Sequence, residues 1–216
     1  MPVYRSFLFA PGNHPRRVEK CLTLSTDAVI LDLEDAVAQN EKEATRAVVV
    51  QALSQPRRCQ AYVRVNALST PWSYGDIEAV VVAGLDGIVL PKVESAADLL
   101  TAEWMISALE RARGLTPGAI DLMPIIETAK GYVALESIVR SGTRVKRVAF
   151  GAGDFTLDEK SRQVFTEGYK GRETGHHSKG AFTVKVVTLF PEAFPGTLGL
   201  SLTGTHVTAW TREAGR

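Results

Sequence analysis

A handful of ionisable residues stand where apolar runs stop, and their types and spacing suit acid–base and metal chemistry. Leu31-Asp-Leu-Glu-Asp35 closes one run with three carboxylates, and Glu34 and Asp35 are the candidate catalytic groups among them. Arg64 lies inside a second run, Tyr62-Val-Arg-Val-Asn66, between apolar neighbours. A guanidinium cannot shed its charge, so it must meet a carboxylate or a phosphate there. That partner is a substrate group, an internal carboxylate such as Glu34 or Asp32, or both at once. Glu127 ends Pro124-Ile-Ile-Glu-Thr128, and Asp154 closes Gly151-Ala-Gly-Asp-Phe155. Two carboxylates from neighbouring strand ends, with water and substrate oxygens, suit Mg²⁺, which takes few protein ligands. No His or Cys accompanies them, which argues against zinc. Gly151, Ala152 and Gly153 leave room for a ligand to approach the backbone. The plainer alternatives are Asp35 as the N-cap of the next helix and Asp154 as a turn residue.

Other charged residues have weaker signals. Lys92, in Leu90-Pro-Lys-Val-Glu94, is either a Schiff-base amine or a charge partner for the carboxylates. The number of carboxylates favours the charge partner. Pro11-Gly12-Asn13-His14-Pro15 reads as a turn flanked by His14, Arg16, Arg17 and Lys20. Those residues could hold a phosphate-bearing ligand or form a solvated basic face. His176 and His177 read as exposed linker residues.

These groups need a frame that gathers strand ends. Strand-length apolar runs recur at 6–10, 28–33, 61–65, 87–90, 122–126 and 145–150. Most are continuous rather than alternating, as in a parallel sheet covered on its outer face. Helical spacing separates them, over 16–24, 41–53, 76–83, 96–113 and 131–140. Such a βα repeat closes most commonly as an eight-stranded barrel whose catalytic groups sit at the C-terminal strand ends. The pattern predicts an α/β chain of the TIM (β/α)8-type, truncated after about six strands. Residues 1–157 form the incomplete barrel, and the polar, Gly-rich 158–183 reads as a linker or ill-ordered junction. Residues 184–216, which open on a strand-like run at 184–190, read as a short tail of different origin. A sheet short of two strands predicts weak stability, association through the open edge, or both.

The whole-chain numbers exclude some classes. In 216 residues, 25 basic and 24 acidic side chains balance to +1. That balance predicts neither a nucleic-acid nor an anionic-membrane partner. Cys21 and Cys59 are too few for a disulfide framework, and no run approaches a membrane span. The expectation is a cytoplasmic protein with reduced thiols.

Six ordered segments carry a family likeness. They are Arg5-Ser-Phe-Leu-Phe-Ala-Pro-Gly-Asn13, Leu31-Asp-Leu-Glu-Asp-Ala-Val37, Tyr62-Val-Arg-Val-Asn66, Gly87-Ile-Val-Leu-Pro-Lys92, Ile126-Glu-Thr-Ala-Lys-Gly131 and Phe150-Gly-Ala-Gly-Asp-Phe155. Through them, residues 1 to about 157 resemble the HpcH/HpaI aldolase and citrate lyase β-subunit superfamily, including its malyl-CoA lyase-like members. The resemblance implies a TIM barrel that cleaves or forms carbon–carbon bonds in a 3-hydroxyacyl-CoA, such as citryl-CoA or malyl-CoA, or a related 2-oxo acid. At the matching positions Glu127 and Asp154 would ligate Mg²⁺, and Arg64 would bind the oxo-acid carboxylate with Glu127 beside it. Lys20 and the Phe9 backbone region would contact the CoA-bearing substrate. In the family's acyl-CoA lyases, late-barrel residues and a segment from a neighbouring subunit help complete the site, which implies a homo-oligomer. A class II pyruvate-type aldolase without CoA is the alternative substrate reading. An inactive barrel remnant that binds metal or a partner is the alternative class. Separately, Val184 to Gly204 resembles the first strand and loop of bacterial tRNA (guanine-N1) methyltransferases, over about 21 residues that stop short of their cofactor site. Methyl transfer is not implied by so short a match.

Overall fold

The computed structural model describes residues 4–157. The expected linker at 158–183, the tail at 184–216, His176 and His177 lie outside the described residues. Six strands alternate with helices: β1 (Phe7–Pro11), α1 (Pro15–Thr23), β2 (Ala28–Asp32), α2 (Lys42–Leu53), β3 (Gln60–Arg64), α3 (Ser73–Val80) and β4 (Gly87–Leu90). Then follow α4 (Ala96–Ala112), β5 (Asp121–Ile126), α5 (Ala129–Val133), α6 (Leu135–Val139), β6 (Ala149–Phe150) and α7 (Ala152–Leu157). The sheet runs β1-β2-β3-β4-β5-β6, every pair parallel. Each strand is thus followed by its crossover and pairs with the next, the topology of an opened βα barrel.

Strand parity divides the core in two. Val29, Leu31, Val63, Ile88, Leu90 and Leu122 face the helices, where Val18 and Leu22 of α1 and Leu99 and Ile106 of α4 cover them. Ala28, Ile30, Tyr62, Val89, Met123, Ile125 and Ala149 face the opposite, inner side, with Tyr4, Phe7 and Phe9 packed against them. Alternate side chains project to opposite faces of a sheet. Continuing the inner-face parity by two residues leads from Ile30 to Asp32, from Tyr62 to Arg64 and from Ile125 to Glu127. The three polar residues therefore share one face at one end of three strands.

Two expected elements differ. The run at 145–150 forms a strand only at Ala149–Phe150, opposite Ile125 and Ile126. Its upstream part is held by arginine contacts instead. Arg144, nearly buried, binds Glu103 at 2.9 Å and Glu110 at 2.8 Å, and Arg147 pairs with Asp121. The single helix expected over 131–140 starts earlier, where the Thr128 side chain accepts from the Gly131 amide. It then breaks at Ala134 into α5 and α6. Gly131 packs on the Val93 carbonyl so closely that a Cβ would collide with it, which pins α5 to the loop after β4. α4 begins on a capping box between Ser95 and Asp98, which satisfies its first amides.

Candidate active site

The site grows from the ends of β2 and β3. Asp32 and Arg64 are Cα partners across these strands, each the last residue of its strand. In-register neighbours on parallel strands lie about 4.8 Å apart, close enough for their side chains to meet. Arg64 Nε donates to Asp32 Oδ1 at 2.8 Å and Nη2 to Oδ2 at 2.6 Å, a bidentate fork. Asp32 also accepts from the amides of Glu34 and Ala36, so it fixes the turn that carries the next two carboxylates. The Phe9 ring lies under the guanidinium, 5.2 Å from centroid to Cζ. Arg64 thus has its internal ion pair, and with Asp32 as the closest partner. Burial alone would draw its proton off, but the hydrogen bonds to Asp32 and the charge of Glu34 outweigh that and hold it above its ordinary value.

The outer edge of Arg64 faces the other carboxylates. Nη1 lies 3.1 Å from Glu34 Oε2 and 3.5 Å from Asp35 Oδ2. The Glu34 contact is an ion pair without hydrogen-bond alignment, so this buried oxygen has no hydrogen-bond partner among the described residues. The other Glu34 oxygen accepts from Lys92 Nζ at 2.6 Å. Asp35 is about half exposed and does not cap the following helix, whose N-cap is Glu41. The capping alternative for Asp35 is therefore corrected: a 3-10 turn at Gln39–Glu41 separates it from α2.

Glu127 enters from β5. Its Oε1 accepts from the Lys92 backbone amide at 2.8 Å. Gly151 backs it, because a Cβ there would stand 2.5 Å from Oε2. Burial, and then the neighbouring charge of Glu34, push its carboxyl up to about 7; Asp154 adds in the same direction. Asp154 lies in the first turn of α7 rather than on β6, and its Oδ2 is 3.6 Å from Lys92 Nζ. Lys92, read as a charge partner rather than a Schiff-base amine, reaches Glu34, Asp35 and Asp154 together. Burial would lower its pKa, but the hydrogen bond to Glu34 and the surrounding carboxylates hold it above the ordinary lysine value, so the amine is protonated.

Arg64, Glu34, Asp35, Glu127 and Asp154 thus meet in one cluster, with Asp32 and Lys92 as the added members. Among the described residues Lys20 makes no hydrogen bond or ion pair with this cluster. It is exposed on α1, beyond the turn where His14, Pro15, Arg16 and Arg17 line a shallow concavity of about 450 Å³. Behind the cluster, buried Lys42 donates to the Leu33 and Glu34 carbonyls and to Asn66 Oδ1, at 3.2, 2.9 and 2.7 Å. Asn66 and Arg46 in turn converge on fully buried Asp76. This network ties the loop after β2 to the loop after β3. Sequence reasoning passed over Lys42 because a lysine near a helix start looks solvated.

The charge count decides what the mouth can take. Among the described residues five carboxylates (Asp32, Glu34, Asp35, Glu127, Asp154) face two cations, Arg64 and Lys92. The surplus, the Glu34 oxygen that accepts no hydrogen bond and the raised Glu127 carboxyl all fit an added cation. Among the described residues no group of three or more His, Cys, Asp and Glu side chains is arranged as a metal nest. Glu127 and Asp154 offer oxygen donors alone, a donor chemistry that suits Mg²⁺ better than zinc.

Comparison with known proteins is decisive for the family. A family model described as HpcH/HpaI aldolase/citrate lyase matches residues 5–193. The chain belongs to this family. The match runs past the expected barrel boundary at 157. Citrate lyase subunit beta of Escherichia coli (strain K12) is 39% identical over 161 residues, 74% of this chain and 53% of that protein. L-malyl-CoA/beta-methylmalyl-CoA lyase of Cereibacter sphaeroides (strain ATCC 17029 / ATH 2.4.9) is 35% identical over 178 residues, 80% of this chain and 55% of the relative. The solved citrate lyase beta subunit of M. tuberculosis, complexed with oxaloacetate and magnesium, superposes with a TM-score of 0.55 at 30% identity. That superposition covers 81% of this chain and 64% of the other. The family member described here spans about half the length of the curated relatives it matches. Among the described residues no helix is long and apolar enough to cross a membrane.

Proposed function

We propose that this family member carries the site of a Mg²⁺-dependent carbon–carbon lyase. Its substrate would be a 3-hydroxyacyl-CoA of the citryl-CoA or malyl-CoA kind, or a related 2-oxo acid. The observation that carries the reading is the meeting of Arg64 and Glu127 on one inner face, with Asp154 beside Glu127 and excess negative charge around them. Relatives named as citrate lyase beta subunit and malyl-CoA lyase support the substrate class. A neighbour complexed with oxaloacetate and magnesium supports the ligand pair.

Each residue then has a task that follows from its surroundings. Glu127 and Asp154 would hold the ion, which supplies a fixed positive charge to offset the negative charge that develops when such a carbon–carbon bond breaks. Asp32 grips Arg64 by Nε and Nη2 and so aims Nη1 outward. Asp35 reaches that edge only at 3.5 Å and is half exposed, so a substrate carboxylate can replace it and gain a charge-assisted contact. Glu34 and Asp35 flank that place and are the candidates to hold or move a proton there. The Phe9 ring walls the same pocket from β1. Lys20 is left with an outer role toward a CoA phosphate, and further subunits would close the site in a homo-oligomer.

Isothermal titration with Mg²⁺ and oxaloacetate, on the wild-type chain and on Asp154→Ala, tests the reading. Oxo-acid binding that requires Mg²⁺ and is lost in the variant is the expected result. Failure of the wild type to bind Mg²⁺ with oxaloacetate overturns it.

A further inference from the structure

Lys92 has φ 52°, alone among the described non-glycine residues in the left-handed region. A residue with a Cβ holds that conformation only where its surroundings enforce it, and such residues concentrate at functional sites. Here the conformation turns the backbone amide onto Glu127 Oε1 at 2.8 Å. It also lets the side chain cross the mouth, with Nζ 2.6 Å from Glu34, 3.6 Å from Asp154 and 3.7 Å from Asp35. One residue therefore touches both carboxylates proposed for the metal: Glu127 through its backbone and Asp154 through its charge.

An ammonium and a divalent ion would compete for the same Asp154 carboxylate, and they repel each other. We infer that the Lys92 ammonium is the resident counter-ion of Asp154, which Mg²⁺ must push aside, so the side chain weakens metal binding while its backbone amide orients the other ligand. This rests on the Mg²⁺ reading above. Displacement is a short swing, because Glu34 keeps hold of Nζ by its shortest contact and the side chain is about one-third exposed. The ammonium then moves toward Glu34 and Asp35, where a substrate carboxylate beside Arg64 would meet it. Lys92 is a positioning residue on this account, and it tunes how readily the mouth accepts a cation.

The test is Mg²⁺ calorimetry on the full chain and on Lys92→Gln, which removes the charge and keeps the backbone donor. The variant should bind Mg²⁺ about tenfold more tightly, the change expected when one like charge leaves a partly screened site. A residue needed only for folding would not raise affinity when removed. Equal or weaker binding by Lys92→Gln, with Mg²⁺ still bound by the wild type, overturns the inference and leaves the metal reading standing. Absence of Mg²⁺ binding by the wild type overturns the metal reading and this inference with it. The wild type offers a check that needs no substitution. Acetylation of Lys92, followed by mass spectrometry, should speed up when Mg²⁺ is added; unchanged or slower labelling in Mg²⁺-bound protein overturns the inference.

Discussion

The inner face of the sheet carries polar residues at both ends. Where the strands begin, the Tyr62 hydroxyl donates to Asp121 at 2.8 Å, Arg147 pairs with the same carboxylate, and the Tyr4 ring lies 4.3 Å from the guanidinium carbon. One carboxylate meets one cation and one hydroxyl, and Tyr4, Phe7 and Tyr62 stack edge to face around them. Where the strands end, five carboxylates crowd two cations among the described residues. Among the described residues the floor sets its carboxylate against a cation, while the mouth holds more carboxylates than cations and a Glu34 oxygen that accepts no hydrogen bond. In a βα barrel the floor end belongs to stability and the mouth end to chemistry, and charge balance separates the two here without appeal to that rule.

The comparison breaks if the two arginines behave alike. Arg64→Ala leaves buried Asp32 without its cation, and Arg147→Met takes the arginine from buried Asp121. Removing one partner of a buried pair costs about 3–5 kcal/mol. Both variants should therefore lose several kcal/mol in denaturant unfolding. Only Arg64→Ala should also lose oxaloacetate binding in the presence of Mg²⁺, measured by calorimetry at a temperature where both remain folded. Loss of ligand binding in Arg147→Met would erase the distinction.

Titration gives a second way to divide matched from unmatched clusters. Behind α4, burial disfavours the charged forms of Glu103 and Glu110. The hydrogen bonds from Arg144 outweigh it and hold both carboxyls below the ordinary 4.5. Their contribution is present above pH 4.5 and is lost as pH falls through their lowered values. Glu127 has the opposite sign. Burial and the charge of Glu34 raise it from 4.5 to about 7, so its ionisation costs stability in the metal-free protein. That cost is absent below 4.5, grows up to about 7 and is constant above. Glu127→Gln keeps an oxygen for the Lys92 amide and cannot ionise. In metal-free buffer it should stabilise the chain by up to about 3 kcal/mol at pH 8 and by almost nothing at pH 4. Urea midpoints at the two pH values check this, and an equal gain at both would sink it.

How much of this was legible in the sequence depends on the range of the interaction involved. The strands were legible because a parallel sheet buried on both faces makes continuous apolar runs, and Arg64 and Glu127 were legible as charges that interrupt them. Strand β6 was overestimated because the residues around Val145 and Val148 count as apolar, while Arg144 and Arg147 are drawn to partners on α4 and β5. The pattern over 131–140 predicts one helix because the contact of Gly131 with the Val93 carbonyl is invisible in one dimension. At the site, the sequence leaves Arg64 a choice between Asp32 and Glu34, and strand register makes it. The left-handed backbone of Lys92 leaves no mark in composition, since the residue expected there is Gly or Asn.

Two glycines of the inner face give the finest form of the comparison. Gly87, on β4, lies against the Tyr62 ring so closely that a Cβ would overlap it. Gly151 does the same for Glu127, with Oε2 at 2.5 Å and Cβ at 2.7 Å from the added atom. Neither has a positive φ, so space rather than backbone conformation fixes the choice. Gly87→Ala must push a ring that is boxed in by Tyr4, Phe7 and Asp121, and overpacking of that kind costs about 1–3 kcal/mol. Gly151→Ala can be relieved by turning the Glu127 carboxylate away from β6, toward the partly open mouth. It should therefore cost less stability than Gly87→Ala and several-fold more in Mg²⁺ affinity, because a ligand displaced by a fraction of an ångström no longer meets its ion squarely. Thermal midpoints and Mg²⁺ titrations of the two variants should rank in opposite orders. If they rank in the same order, the mouth is packed as rigidly as the floor, and its surplus charge is held by the fold rather than kept for a ligand.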